Sequence, residues 1–233
     1  MKKIFTTLAM IFLLVPGCSS AQKPSPEEQF KKSFPLHSYE SFAATSVKGV
    51  YEIYNGRQIY YYLPEGDVLF LGSIITKDEK NLTQESQSKK AAAKMAKLDL
   101  TKAVKIGNGK TEVVEFIDPN CYYCRISFNF FKERMNDVTL YVFFFPLNDS
   151  SAKKVQHILC SKDPSSTYNE VLSGKLDKES QIPPCENKEA GDILKAHQAA
   201  AASVGVRGTP MFYIKGQVVP GFEQAAIEKL LKK

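Results

Sequence analysis

The chain has 233 residues, of which 43 % are hydrophobic and 24 % are charged, and it contains no tryptophan. The formal net charge is +6, but Lys2 and Lys3 supply part of it, which leaves +4 beyond the N-terminal segment. Because the remaining basic residues are dispersed along the chain, we expect no nucleic-acid partner. The length allows one or two domains.

Residues 1–21 predict a secretory signal peptide. Two lysines precede an apolar run that is too short to span a membrane, and small residues follow it. Leu14-Val-Pro-Gly-Cys18 resembles a lipobox, which would end the signal at residue 17 and leave Cys18 as a lipidated N-terminus. An A-x-A-like site at Ser19-Ser-Ala21 would instead remove Cys18. Either outcome leaves four usable thiols, because Cys18 is lipidated or removed, in a compartment where disulfides persist.

Residues 22–76 predict a small domain in which a helix precedes an antiparallel sheet. The segments Gly49–Tyr54 and Arg57–Leu63 read as strands, and Asn55-Gly56 between them predicts a two-residue hairpin. The sheet would have an exposed edge strand. That edge either pairs with a second copy of the chain, which would make a homodimer, or is protected by turns and charges.

Residues 77–108 predict a linker helix. The stretch from Ser88 to Leu100 is rich in strong helix formers and has no helix breaker. Ala93, Ala96, Leu100 and Val104 are spaced to share one narrow helical face. Asn108-Gly109 then ends the segment and opens the next strand.

Residues 109–233 predict an α/β domain. A buried-type strand at 111–117, a cysteine-bearing helix to about residue 136 and a second strand at 138–145 form a βαβ unit. A helical section from Ser150 to about Val204 interrupts the sheet. Short strands at 211–214 and 217–219 and a closing helix complete the domain.

Cys121-Tyr-Tyr-Cys124 lies where the first strand of this unit gives way to the helix. The positive end of the helix dipole favours a thiolate at Cys121, which predicts that Cys121 attacks disulfides and Cys124 resolves the mixed disulfide. Zinc would need further ligands, and the three histidines are scattered, so we expect neither a metal nor a cofactor. Tyr122 and Tyr123 would tune the reduction potential and offer an aromatic surface to unfolded substrates.

Three further residues belong to the predicted chemistry. Glu115, on the strand before the cysteines, is either a buried acid that relays the proton of Cys124 or a carboxylate with no catalytic role. Cys160 and Cys185 lie on either side of a helical stretch, and once Cys121 pairs with Cys124 they are the simplest structural disulfide.

These motifs together resemble the DsbC family of periplasmic thiol:disulfide interchange proteins, with DsbG as a near relative. The resemblance covers almost the whole chain after the signal, and its motifs are the cysteine pair, Phe144-Phe-Pro146, Cys160-Ser-Lys-Asp163, Cys185, Gly208-Thr-Pro210 and Val219-Pro-Gly221. It implies an α+β chain with a cystatin-like N-terminal dimerisation domain, a linker helix and a thioredoxin-like catalytic domain with a helical insertion.

The resemblance also implies a homodimer whose two active sites face a shared, uncharged cleft. Pro210 would be cis and face the cysteine pair, with Thr209 beside it tuning the thiolate and binding substrate backbone. The structural disulfide would join Cys160 to Cys185. The substrates would be misfolded disulfide-containing proteins, and a membrane electron donor of the DsbD type would keep Cys121 and Cys124 reduced.

The main functional hypothesis is therefore a periplasmic disulfide isomerase with chaperone activity on unfolded proteins. The Tyr-Tyr dipeptide differs from Gly-Tyr in DsbC and Pro-Tyr in DsbG, and Glu115 occupies a position that is apolar in the best-known isomerase pattern. Because both features affect the reduction potential, a net oxidase or reductase stays open. A chaperone with secondary thiol chemistry is the alternative from another class.

Overall fold

The structure is a computed structural model that describes residues 23–178, 182, 185 and 187–232. The predicted signal peptide, including Cys18, lies outside the described residues. The α+β class is confirmed, because an all-antiparallel sheet is followed by a separate mixed sheet with helices on both faces. Within the described ranges, no helix is long and apolar enough to cross a membrane.

The N-terminal unit is one helix packed on a four-stranded antiparallel sheet of order β1-β2-β3-β4. Its elements are α1 (Pro26–Ser33), β1 (Ser41–Ala44), β2 (Tyr51–Tyr54), β3 (Ile59–Leu63) and β4 (Val68–Phe70). Helix α1 begins with a capping box between Ser25 and Glu28. It buries Phe30 against an aromatic layer that includes Phe42 and Tyr62.

The predicted two-residue hairpin between β2 and β3 is wrong. Tyr54 pairs with Ile59, so the loop contains the four residues 55–58. The side-chain oxygen of Asn55 accepts hydrogen bonds from the backbone N–H groups of Arg57 and Gln58, at 3.0 and 2.9 Å. An asparagine that bonds to the backbone ahead of it organises a longer turn, which the Asn-Gly pair alone does not reveal.

The predicted helical face through Leu100 and Val104 is also wrong. Helix α2 (Leu82–Met95) ends earlier, and the side chain of Asp99 caps a separate 3₁₀ turn at Leu100–Lys102. Strand β5 (Val104–Gly107) follows and pairs with a strand of the second sheet. Alternating burial explains the strand, since Val104 and Ile106 are buried and Lys105 is exposed.

Helix α2 joins the two units by packing on both. Its Thr83 hydroxyl lies 2.6 Å from the phenol oxygen of Tyr61 in β3. Its Ala91 and Met95 belong to an apolar cluster with Val204 of the second unit. The linker is therefore a packed element rather than a free spacer.

The C-terminal unit is a five-stranded sheet of order β5-β7-β6-β8-β9. Its remaining elements are β6 (Thr111–Ile117), α3 (Tyr122–Lys132), β7 (Val138–Phe144), α4 (Asp149–Cys160), α5 (Pro164–Leu172), α6 (Lys188–Val204), β8 (Met211–Ile214), β9 (Gln217–Pro220) and α7 (Gln224–Leu231). Strands β6 and β7 are parallel and joined by α3, which confirms the predicted βαβ unit. All other strand pairs in this sheet are antiparallel.

Strand β6 is buried on both faces, and its alternation positions the active site. Val113 and Ile117 face the larger core, which contains residues of α3, α4, α5 and α7. Val114 and Phe116 face the opposite core, against α2 and α6. Glu115 shares the face of Val113 and Ile117, so its carboxyl points into the core beneath α3.

Candidate active site

Cys121 is the N-cap residue of α3, at the end of the turn that follows β6. The backbone N–H of Cys121 donates to the carbonyl of Asp118, which closes this turn. Cys121 makes no side-chain cap hydrogen bond, so its sulfur is not used to hold the helix end. Cys121 and Cys124 both carry free thiols, and Cys121 is half-buried. A sulfur at this point lies next to unpaired backbone N–H groups and the positive end of the helix dipole.

Cys124 lies one turn further along α3 and is buried. Burial raises the pKa of the Cys124 thiol well above its ordinary value. The Asp118 backbone and the Thr209 hydroxyl act against this by lowering that pKa, whereas the neighbouring Cys121 raises it further. The two cysteines thus differ strongly in exposure, although only two residues separate them.

The loop that precedes β8 lies against the cysteine pair. The Thr209–Pro210 peptide bond is cis, and the Cys121 thiol donates to the Thr209 carbonyl at 3.3 Å. The Thr209 hydroxyl is buried and has no hydrogen-bond partner of good geometry among the described residues. It is nevertheless close enough to Cys124 to affect the pKa of that thiol. The structure thus brings Thr209 to both sulfurs and places the cis bond to Pro210 directly after it.

Tyr122 and Tyr123 occupy the first turn of α3 and project outward. Their side chains are 72 % and 58 % exposed, and their rings meet edge to face with centroids 5.4 Å apart. Leu147, which is also largely exposed, donates its backbone N–H to Asp118. Two exposed aromatic rings therefore directly follow Cys121.

Glu115 is buried in the core on the face of β6 that α3 covers. Desolvation raises the pKa of Glu115 to about 7, and a hydrogen bond from the Tyr168 hydroxyl opposes the shift. That bond is 2.9 Å long. Tyr168 is also buried, and its own pKa is raised well above the ordinary value by burial and by the nearby charges of Glu115 and Cys124. Tyr168 therefore lies near both groups.

A polar network that sequence reasoning missed fixes the loop before Cys121. The carboxylate of Asp118 accepts hydrogen bonds from the Asn120 N–H, the Leu147 N–H and the Ser151 hydroxyl, at 2.6, 2.7 and 2.7 Å. Lys154 was missed although it falls on the buried face of α4, where a lysine is unusual. Tyr168 and Asp177 had no comparable signal.

Cys160 at the end of α4 forms a disulfide with Cys185, and their Cα atoms are 6.4 Å apart. This bond closes the segment that carries Tyr168. Among the residues that the structure describes, no group of three or more histidine, cysteine, aspartate or glutamate side chains is arranged to hold a metal ion.

A thioredoxin-like sheet with a free Cys-x-x-Cys pair at a helix start defines a thiol–disulfide oxidoreductase. Family comparisons agree with this class. Residues 18–84 match the disulfide bond isomerase protein N-terminal domain, and residues 98–233 match the thioredoxin-like domain. The second match includes β5, in agreement with the sheet. The chain belongs to the DsbC family of thiol:disulfide interchange proteins, whose second domain is thioredoxin-like.

Two relatives illustrate the match. The probable thiol:disulfide interchange protein DsbC of Bordetella parapertussis is 29 % identical over 204 residues, which cover 84 % of this chain and 70 % of that protein. The thiol:disulfide interchange protein DsbC of Haemophilus influenzae is 28 % identical, with 97 % and 95 % covered.

Two solved structures show the same fold over part of the chain. A linker-deletion mutant of ScsC from Proteus mirabilis superposes with a TM-score of 0.54 at 20 % identity, over 64 % of this chain and 84 % of that one. The thiol-disulfide exchange protein α-DsbA2 from Wolbachia pipientis gives 0.51 at 19 % identity, over 61 % and 94 %.

Proposed function

We propose that this protein is a homodimeric periplasmic disulfide isomerase in which Cys121 is the attacking thiolate and Cys124 the resolving thiol. The observation that carries the proposal is the asymmetry of the pair. Cys121 is accessible at the start of α3 and faces the Thr209 carbonyl, whereas Cys124 is buried behind it. An attacking thiol needs access to substrate, and a resolving thiol needs access only to Cys121.

In the proposed reaction the Cys121 thiolate attacks one sulfur of a non-native substrate disulfide. The substrate S–S bond breaks, a mixed disulfide with Cys121 forms, and the released substrate thiolate takes up a proton. A different substrate thiolate then attacks the mixed disulfide, which releases Cys121 and leaves a rearranged disulfide. No net electron transfer occurs in this route.

When the substrate does not rearrange, Cys124 resolves the complex. Its thiolate attacks the Cys121 sulfur, and the substrate leaves as a dithiol. The two thiols of Cys121 and Cys124 have then given up two electrons and form a disulfide. A dithiol donor of the DsbD type then returns two electrons and two protons. Because burial opposes ionisation of Cys124, this step needs a proton acceptor.

We assign the acceptor role to Glu115, with Tyr168 as the intermediate hydroxyl. The pKa of Glu115, raised to about 7 by burial, suits a base at neutral pH. Tyr168 bonds to Glu115 and lies near Cys124, so it offers a path between the two. The Thr209 hydroxyl, which lacks a partner within the described residues, would donate to the Cys124 thiolate as it forms.

The substrates in this proposal are unfolded or misfolded proteins, for which the exposed rings of Tyr122 and Tyr123 supply apolar contact beside Cys121. A cavity of about 600 Å³ adjoins Thr209 and Pro210 and extends to Tyr54 and α2, which would receive extended substrate chain. Export would rest on the signal at residues 1–21, with lipidation of Cys18 as the alternative to its removal. Chaperone activity would follow from the same apolar contacts.

Refolding of a scrambled multi-disulfide protein tests the proposal. We expect Cys121→Ala to abolish isomerisation, and Cys124→Ala to retain part of it while accumulating a mixed disulfide at Cys121. Full activity in Cys121→Ala would refute the assigned roles. Equilibration of the Cys121–Cys124 pair with glutathione separates an isomerase from a net oxidase or reductase.

Chaperone activity is tested separately. The Cys121→Ala, Cys124→Ala double variant should suppress aggregation of a cysteine-free unfolded protein as well as the parent chain does. Loss of suppression in this variant would mean that the contacts alone do not hold unfolded chains. If the double variant also restores normal behaviour to cells that lack this protein, the chaperone would instead be favoured as the main function.

A further inference from the structure

A cluster of three charged side chains lies beside the active-site loop. The Lys154 side chain is only 3 % exposed, and its ammonium lies 2.8 Å from the Asp177 carboxylate. The Arg125 guanidinium binds the same carboxylate with both of its terminal nitrogens, one of them at 2.7 Å. Such a fork geometry is the strongest arrangement for an ion pair, and a buried ammonium without its partner would be costly.

Both cations also contact the two residues that precede Cys121. The Lys154 ammonium donates to the side-chain oxygen of Asn120 at 2.7 Å. The Nε–H of Arg125 donates to the carbonyl of Pro119 at 3.0 Å. Through Arg125 and Lys154, Asp177 therefore fixes the position of Pro119 and Asn120, the two residues before Cys121.

Asp177 is far from the site in sequence but tied to it by the fold. It follows α5 on the segment that the Cys160–Cys185 disulfide closes. Hydrogen bonds from Arg125 hold the pKa of Asp177 well below its ordinary value, so the carboxylate is charged at any physiological pH. The other nearby acid, Asp118, bonds to backbone and hydroxyl donors of its own loop and of α4.

We propose that Asp177 is a positioning residue for thiol–disulfide exchange, acting through Arg125 and Lys154. It fixes the loop before Cys121, and its charge offsets two cations that would otherwise stabilise a thiolate at the helix start. The inference rests on the proposed role of Cys121 as the attacking thiolate. Asp177 itself touches neither substrate nor sulfur in this scheme.

The charge balance predicts the direction in which each variant shifts the redox equilibrium of the cysteine pair. Uncompensated positive charge near the pair stabilises the thiolate and therefore the reduced form, which makes the pair more oxidising. Asp177→Asn keeps the shape but removes the negative charge, and should shift the pair toward the reduced form. Lys154→Met removes a positive charge at similar length, and should shift it the opposite way.

The measurement is the equilibrium of the pair with glutathione. Oxidation of Cys121 and Cys124 forms one S–S bond and passes two electrons and two protons to glutathione disulfide, which becomes two thiols. We expect Asp177→Asn to lower the oxidation constant by about three- to tenfold and Lys154→Met to raise it similarly. Asp177→Glu should restore the parent value to within about twofold. Asp192→Asn, which breaks an exposed pair with Lys195, is the matched control and should change nothing.

Two results would overturn the proposal. One is an Asp177→Asn constant equal to that of the parent chain and of Asp192→Asn. The other is a shift of the oxidation constant in the same direction for Asp177→Asn and Lys154→Met. A general loss of packing would have that effect, because it does not depend on the sign of the charge removed. If Lys154→Met does not fold, Arg125→Gln replaces it with the same expected sign, since that side chain is partly exposed.

Failure of this inference is distinguishable from failure of the proposed function. If the parent chain isomerises scrambled substrate but the constants do not move, only the role of Asp177 is wrong. If the constants move as expected while Cys121→Ala still isomerises, the tuning of the pair stands and the isomerase mechanism is wrong.

Discussion

The hydroxyl of Tyr168 donates a 2.9 Å hydrogen bond to the carboxyl of Glu115, and both side chains are buried beneath the helix that carries Cys124. Tyr168 belongs to α5, within the segment closed by Cys160 and Cys185. The helical insertion therefore supplies part of the core of the active site. Asp177, on the same segment, supplies the ion pairs at the loop before Cys121.

Glu115→Gln should remove a pH-dependent loss of stability. Because the folded-state pKa is about 7 against an ordinary value of 4.5, the folded protein keeps a proton that the unfolded chain releases. The free energy of unfolding should therefore fall as pH rises from 4.5 to 7, by on the order of 2–3 kcal/mol, and then level off. Urea unfolding at pH 5 and pH 8.5 measures the difference.

Glu112→Gln is the matched control for that experiment. Glu112 lies on the same strand and accepts a hydrogen bond from Tyr141, but at an exposed position. It should leave the pH dependence unchanged, whereas Glu115→Gln should flatten it. An unaltered slope in Glu115→Gln would mean that folding does not raise the pKa of Glu115, which would remove the reason for assigning it as the proton acceptor at neutral pH.

His197 should make the protein less stable in acid. Its Nε2–H donates to the Lys102 carbonyl, which leaves Nδ1 to accept from the Phe144 N–H, so both ring nitrogens bond in the neutral form. Burial lowers the pKa of His197 below 6.5. As the pH falls below 6.5, the unfolded chain therefore binds a proton that the folded chain does not. The stability that is present above pH 6.5 is lost as the pH falls from there through the lower folded-state pKa.

The check is the slope of the unfolding free energy between pH 7.5 and pH 5.5. His197→Gln should be less stable at both pH values because the cross-link between α6, β7 and the 3₁₀ turn is lost, but its slope should be smaller. His37→Gln, at an exposed position, should keep the parent slope. Equal slopes in the parent and His197→Gln would contradict the assignment of a neutral buried imidazole.

Two glycines with opposite surroundings test the packing at the base of β6. A Cβ added at Gly109 would lie 1.9 Å from the carbonyl carbon of Asp137, which is backbone and has no room to move. Gly109→Ala should therefore lose at least about 2 kcal/mol of stability. Gly191→Ala, inside α6 with nothing within 4 Å, should gain up to about 1 kcal/mol. Thermal unfolding of both variants checks the contrast, which similar shifts would contradict.

Sequence patterns predicted the parts of the fold that depend on local periodicity. The continuous apolar run of β6 and the helix that follows it place Cys121 and Cys124 without further information. The pattern failed where a single side chain changes the backbone, as Asn55 does in the hairpin loop and Asp99 does after α2. These local hydrogen bonds compete with propensity and are not visible in spacing.

The candidate site was predictable only as far as its motifs extend. Cys121, Cys124 and the Thr209–Pro210 loop could be named from sequence because each belongs to a short pattern. The partners of Glu115 and of Arg125 could not, because Tyr168 and Asp177 are each more than 50 residues away along the chain. Long-range pairing of this kind depends on how the insertion folds back over α3.

The edge strand β4 should be the dimer contact. Val68 is 50 % exposed, and Leu71, directly after the strand, is 64 % exposed. The outer edge of β4 has no strand partner within the described residues. An unpaired edge with exposed apolar side chains favours pairing with a second copy. Val68→Arg with Leu71→Arg should therefore weaken the dimer by about 100-fold or more, since four added cations would meet at one interface.

Sedimentation equilibrium measures the oligomeric state. Glutathione equilibration and refolding of scrambled substrate then show whether the dimer is needed for the redox chemistry of the pair or for isomerisation. The parent chain should sediment at twice the chain mass and the double arginine variant at the chain mass. Leu147→Arg, which changes a similarly exposed leucine on the C-terminal unit, is the control and should stay dimeric. Because glutathione reaches Cys121 in a single subunit, the monomeric variant should keep its glutathione equilibrium. It should lose refolding of scrambled substrate, which needs apolar surface on both sides of the bound chain. A parent chain that sediments as a monomer, or a monomeric variant with full refolding activity, would contradict the dimeric isomerase.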